Sequence, residues 1–113
     1  MSRLEAIDGS NWEDFVKSKK AVLMLGKSDC GACNEWTQEL KDYLAETSEH
    51  SDVRFGKMLL DQRGLASFKK EHTWLKDVDA LPYNVIFKDG EVRKTFAGKG
   101  VERLTNRLGN LDE

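Results

Sequence analysis

Cys30 and Cys33 are the only cysteines of the chain, and only Gly31 and Ala32 separate them. Two thiols at this spacing suit dithiol–disulfide exchange, in which one sulfur attacks and the other resolves the mixed disulfide. The apolar run Ala21-Val22-Leu23-Met24-Leu25 precedes the pair, and Cys33, Trp36, Leu40, Tyr43 and Leu44 recur behind it at helical spacing. The pair is therefore expected on a strand-to-helix turn, with Cys30 near the helix N-terminus and Cys33 one turn inside. The first turn of a helix carries unpaired N–H groups and the positive end of the helix dipole. Both favour a thiolate and draw a thiol below its free value of ~8.5. Cys30 is thus the expected nucleophile and Cys33 the resolving thiol. Two other readings stand beside this one: a metal site and an inert pair. Zinc usually takes four ligands, and His50 and His72, the only histidines, lack ligand-like spacing to the pair.

The flanking elements must hold those sulfurs. Residues 4–7 read as a short edge strand, and Ser10 with Glu13 forms a capping-box pattern ahead of a helix over 11–18. Residues 21–25 are continuously apolar, as in a strand covered on both faces. A helix is expected over 31–48. A second strand follows over 53–60, with Phe55 and Leu59 on one side, Met58 and Leu60 on the other, and Lys57 interrupting the Phe55 side. Leu65, Phe68, His72 and Leu75 recur every three or four residues and predict one helix over 64–76. Asp89-Gly90 between two apolar runs signals a hairpin of strands 83–87 and 92–96. Val101, Leu104, Leu108 and Leu111 predict a C-terminal amphipathic helix. Strands alternating with helices and ending in a hairpin and a helix argue an α/β sandwich around a mixed sheet.

The 113 residues suit one domain, 1–113. A net charge of −2 points to neither nucleic acid nor an anionic membrane as partner. No apolar run approaches the ~20 residues of a membrane span, and residues 1–8 show no signal-peptide pattern. A cytoplasmic, reducing setting is the expectation, where a lone cysteine pair is catalytic or metal-binding more often than a staple.

The cysteine motif comes with Leu81-Pro82 ahead of a strand, then Phe87-Lys88-Asp89-Gly90-Glu91-Val92, then Gly98. Together these resemble the thioredoxin family, from about Ile7 to Leu111. The resemblance implies a thioredoxin fold, a central mixed sheet with helices on both faces. It implies a cis Leu81–Pro82 bond with Pro82 beside the thiols. Leu81 would then pair through its backbone with an extended substrate, and Gly98 would leave room for it. Gly31, Ala32, Leu81, Pro82 and Gly98 form the implied substrate rim. The chain departs from the family pattern at four places. Asp29 stands where a tryptophan is usual, and Ala32 where thioredoxin has proline and disulfide isomerases histidine. Met24 stands where a buried acid is usual, and the segment between Asp61 and Pro82 looks about six residues longer. Lys57 matches the lysine that pairs with the missing acid, which makes it a candidate to tune the Cys33 thiol; a lysine that merely reaches out past the sheet edge is the bland alternative. Trp74 is a further candidate for the groove, in place of the missing tryptophan.

What the resemblance implies about activity is a protein-disulfide reductase acting on disulfide-containing proteins. A reductase or a low-molecular-weight thiol would be its electron donor. No cofactor or metal is required, and a monomer is expected. The alternative is a non-catalytic interaction module or redox sensor on the same fold, which Met24 and Asp29 favour.

Overall fold

The computed structural model describes residues 3–111. Its elements run β1 (Leu4–Ile7), α1 (Trp12–Val16), β2 (Lys20–Gly26), α2 (Gly31–Glu46), β3 (Arg54–Leu59), α3 (Ala66–Glu71), a 3-10 turn (Thr73–Asp77), β4 (Tyr83–Lys88), β5 (Glu91–Ala97) and α4 (Val101–Gly109). One sheet takes the strands in the order β1-β3-β2-β4-β5. The first three are parallel, while β4 runs antiparallel to β2 and β5 antiparallel to β4. The sheet is therefore mixed, as strand–helix alternation ending in a hairpin predicts.

β2 lies in the middle, and every residue from Ala21 to Gly26 is buried, which explains its unbroken apolar run. Val22, Met24, Phe55 and Ile86 face α2 and α4, packing on Trp36, Leu40, Leu44, Leu104 and Leu108. Ala21, Leu23, Leu25, Met58, Val85 and Phe87 face the other way, onto Trp12, Phe15 and Phe68. Two apolar layers thus sandwich the sheet and fix its register, because a one-residue slip would turn each set to the wrong face. The β4–β5 hairpin closes on Asp89-Gly90, both at positive φ (53° and 85°), the turn that Asp-Gly favours.

Two local expectations change. Ser10 does not cap α1. Its N–H and hydroxyl both donate to Asp8 Oδ1, at 2.8 and 2.6 Å, and Asn11 occupies the N-cap without a side-chain cap bond. The helix starts at Trp12, one residue later than the pattern implies, so the N-cap position falls on Asn11 while Ser10 is held in the turn by Asp8. The helix over 64–76 is two pieces. At His72 (φ −111°, ψ 72°) the chain leaves α3 and continues as the 3-10 turn. The apolar spacing runs through the break because a 3-10 turn also returns a side chain every three residues.

Candidate active site

Cys30 is the N-cap of α2, with extended backbone (φ −101°, ψ 109°), and the turn before it closes through Cys30 N–H donating to Lys27 O at 3.3 Å. Its Sγ accepts the N–H of Cys33 at 3.1 Å. That is one of the orphan donors of a helix N-terminus, aimed at sulfur. Cys30 and Cys33 form a disulfide with their Cα atoms 5.2 Å apart. The two sulfurs differ in access: Cys30 is half-buried, whereas Cys33 is fully buried. Gly26 makes the burial of Cys33 feasible. A β-carbon at Gly26 would lie 3.1 Å from both Cβ and Sγ of Cys33. The sequence reading missed this residue; its one signal was a glycine ending an otherwise apolar strand.

The second wall comes from β4. The Leu81–Pro82 bond is cis, and Pro82 is buried. Tyr83 pairs with Leu25, so Pro82 sits at the end of β2 where Gly26 meets Cys33. Pro82 O accepts from Gly98 N at 2.7 Å. Gly98 holds φ +89°, a conformation that disfavours any side chain. Among the described residues, Leu81 takes part in none of the backbone hydrogen bonds outside the regular elements. Gly31 and Ala32 are exposed at the start of α2.

Asn84, also missed from sequence, ties these pieces together. It is fully buried and faces α2. Its Oδ1 accepts the Trp36 indole N–H at 2.7 Å, and its amide donates to Phe96 O (3.2 Å) and Gly98 O (2.8 Å). A buried indole N–H needs an acceptor, and one amide supplies it while anchoring the Gly98 loop. Outside, Lys99 reaches Glu35 (2.7 Å) and Glu39 (3.5 Å) of α2, and the Lys99 hydrogen bond and charge hold the Glu35 carboxyl below its ordinary value.

Met24 is fully buried between its cross-strand neighbours Lys57 and Asn84. Its thioether lies near the point where Gly26 and Cys33 meet, 3.7 Å from the position a Gly26 β-carbon would take. Lys57 is half-buried on the same side of the sheet, and its ammonium makes no hydrogen bond or ion pair with the described residues; it lines a cleft of about 290 Å³ with Ala6, Ile7, Asp8, Leu59 and Gln62. Asp29 is exposed. Beside it, Ser28 donates to Asp61 from its N–H (3.2 Å) and its hydroxyl, and these bonds hold the Asp61 carboxyl below its ordinary value.

His72 is packed among the rings of Trp12, Phe68, Trp74 and Phe87, with Nδ1 2.9 Å from Phe68 O. Trp74 stands against His72 and Tyr83. Among the described residues no three His, Cys, Asp or Glu side chains cluster as a metal site would require. None of the described helices is long and apolar enough to cross a membrane.

No family model matches the chain, and no curated protein matches it by sequence. Solved structures do resemble it. A thioredoxin of Malassezia sympodialis superposes with a TM-score of 0.77 at 18% identity, covering 100% of this chain and 94% of the other. Spinach chloroplast thioredoxin f, long form, gives 0.76 at 18% identity over 97% of this chain and 87% of its own. Oxidised mitochondrial thioredoxin 3 of Saccharomyces cerevisiae gives 0.72 at 23% identity over 96% and 95%. The chain has the thioredoxin fold.

Proposed function

We propose that this thioredoxin-fold chain is a thiol–disulfide oxidoreductase that reduces or exchanges protein disulfides. The observation that carries the reading is the asymmetric pair: Cys30 half-exposed at a helix N-cap with a backbone N–H on its sulfur, bonded to a fully buried Cys33. In the reduced protein the Cys30 thiolate attacks a substrate disulfide. That S–S bond breaks, the departing substrate thiolate takes a proton, and Cys30 is left in a mixed disulfide. Cys33, deprotonated, attacks Cys30 Sγ. The second substrate thiolate leaves, and the 30–33 disulfide forms. Two electrons have passed to the substrate, and a dithiol reductase or a low-molecular-weight thiol returns them. No metal or organic cofactor enters this scheme.

In this reading Leu81 pairs with the backbone of an extended substrate. Gly31, Ala32, Pro82 and Gly98 form the rim against which it lies. Lys57 favours the Cys33 thiolate electrostatically, since Met24 offers no carboxylate to take its proton. A cytoplasmic monomer suits a dithiol that must be re-reduced after each turn. The test is reduction of insulin, or of a chromogenic disulfide, with excess reductant. Turnover well above that of free dithiol is expected, lost in Cys30→Ser and replaced by trapped mixed disulfides in Cys33→Ser. A rate equal to free dithiol contradicts the reading. Met24 and Asp29 favour a second reading, a partner-holding module, which predicts groove binding with no such turnover.

A further inference from the structure

We propose that the cleft beside the thiol loop is a specificity subsite for acidic side chains that flank the disulfide of a protein substrate. This rests on the oxidoreductase reading and adds to it a class of substrate. The cleft encloses about 700 Å³, and its walls bring together Lys27, Leu60, Asp61, Lys69, Leu75 and Lys76. The three lysines come from three places: the β2–α2 loop, α3 and the 3-10 turn. None of them lies within ion-pair distance of a carboxylate of the described residues, whereas Lys17, Lys20 and Lys99 each do. Lys69 is steadied at the rim, Nζ donating to Leu60 O at 3.1 Å. Asp61 is the one carboxylate in the wall, and it is occupied by the Ser28 N–H and hydroxyl. Three ammonium groups against one carboxylate leave the cleft positive, opposite in sign to the chain's net charge of −2.

Position connects this charge to the chemistry. Lys27 closes the turn that ends in Cys30, its carbonyl accepting Cys30 N–H. Ser28, the next residue, binds Asp61 in the cleft wall. A substrate whose cysteine is bonded to Cys30 therefore runs past the cleft mouth, and residues a few positions from that cysteine face the lysines. Leu60 and Leu75 provide apolar walls for the methylenes of a glutamate. Steering by such a patch acts on encounter and is screened by salt.

The test uses three disulfide-bonded peptides that differ only in flanking Glu, Gln or Lys residues. With the parent protein, kcat/KM is expected in the order Glu, Gln, Lys. The outer two should be separated about tenfold at low ionic strength, mainly through KM, and should converge at high salt. Lys27→Glu with Lys76→Glu should reverse the order, and Lys27→Gln with Lys76→Gln should flatten it. Similar kcat/KM for all three peptides with the parent protein overturns the subsite alone. A preference for acid that survives the charge reversal also overturns it. No turnover of any peptide overturns the oxidoreductase reading, and the subsite with it.

Discussion

At the N-terminal end of β3, Arg54 donates to both carboxylate oxygens of Glu5 (2.9 and 2.6 Å), to Asp14 (3.0 Å) and to Ser18 (3.0 Å), while its guanidinium lies over the Phe15 ring. At the other end of the same sheet, where β2 finishes, the design is reversed. Gly26 leaves room for Cys33, and among the described residues the Leu81 backbone makes no hydrogen bond and the Lys57 ammonium has no partner. The first end draws its charged side chains into one cluster; at the second, Ser28–Asp61 and Lys99–Glu35 pair around the rim while the Leu81 backbone and the Lys57 ammonium have no partner among the described residues. Open α/β sheets bind ligands at the carboxyl ends of their parallel strands, and here the end with Gly26, Cys33 and Leu81 is that one. Asn84 helps it hold its shape, a buried amide bonded to Trp36, Phe96 and Gly98.

Substitutions can break or sharpen this contrast. The largest loss is expected from Asn84→Ala, which leaves the Trp36 indole and two carbonyls without their partner. Urea unfolding should show about 3 kcal/mol of destabilisation, and turnover should fall as the Gly98 loop loses its anchor. Stability unchanged within error would refute that role. Arg54→Met should cost about 1–2 kcal/mol, a range discounted for its partial exposure. Turnover per folded molecule should be unaffected, and a drop there would mean the two ends are not independent. Gly26→Ala should be milder for stability, about 1 kcal/mol, since the new carbon meets Cys33 at 3.1 Å. Its signature should be kinetic: resolution by Cys33 slows, and mixed disulfide accumulates. Lys57→Ala should raise the Cys33 thiol pKa with little effect on unfolding; an unmoved value removes the lysine from the mechanism.

The smallest effect concerns pH. Glu35 is held below its ordinary value of 4.5 by Lys99. A depressed carboxylate stabilises the fold above its unfolded pKa and ceases to do so as pH falls through its folded one. The melting difference between parent and Lys99→Met should therefore shrink as pH drops below 4.5. A difference that grows in acid would contradict the pairing.

Much of the fold is legible in the sequence for reasons these regions make plain. The run 21–25 reads as a doubly covered strand because β2 is central, and Asp89-Gly90 reads as a turn because both residues tolerate positive φ. The cysteine pair is legible because an N-cap residue and the third residue of the helix behind it lie within disulfide reach. What stays hidden depends on partners far away in sequence. Asn84 looks like a polar interruption until Trp36 and Gly98 meet it. Gly26 looks like a strand end until Cys33 fills its space. His72 follows the helical spacing and conceals the break. Ser10 and Glu13 match a cap pattern, yet Asp8 holds the hydroxyl.

Which sulfur ionises first decides whether Cys30 is the nucleophile. Alkylation of the fully reduced protein by iodoacetamide, followed across pH with each cysteine quantified by peptide mapping, measures this. Cys30 should be modified first, with a midpoint below the free-thiol value of ~8.5, and Cys33 should react only slowly. Faster labelling of Cys33, or a Cys30 midpoint at or above the free value, would contradict a nucleophile eased by the helix N-terminus.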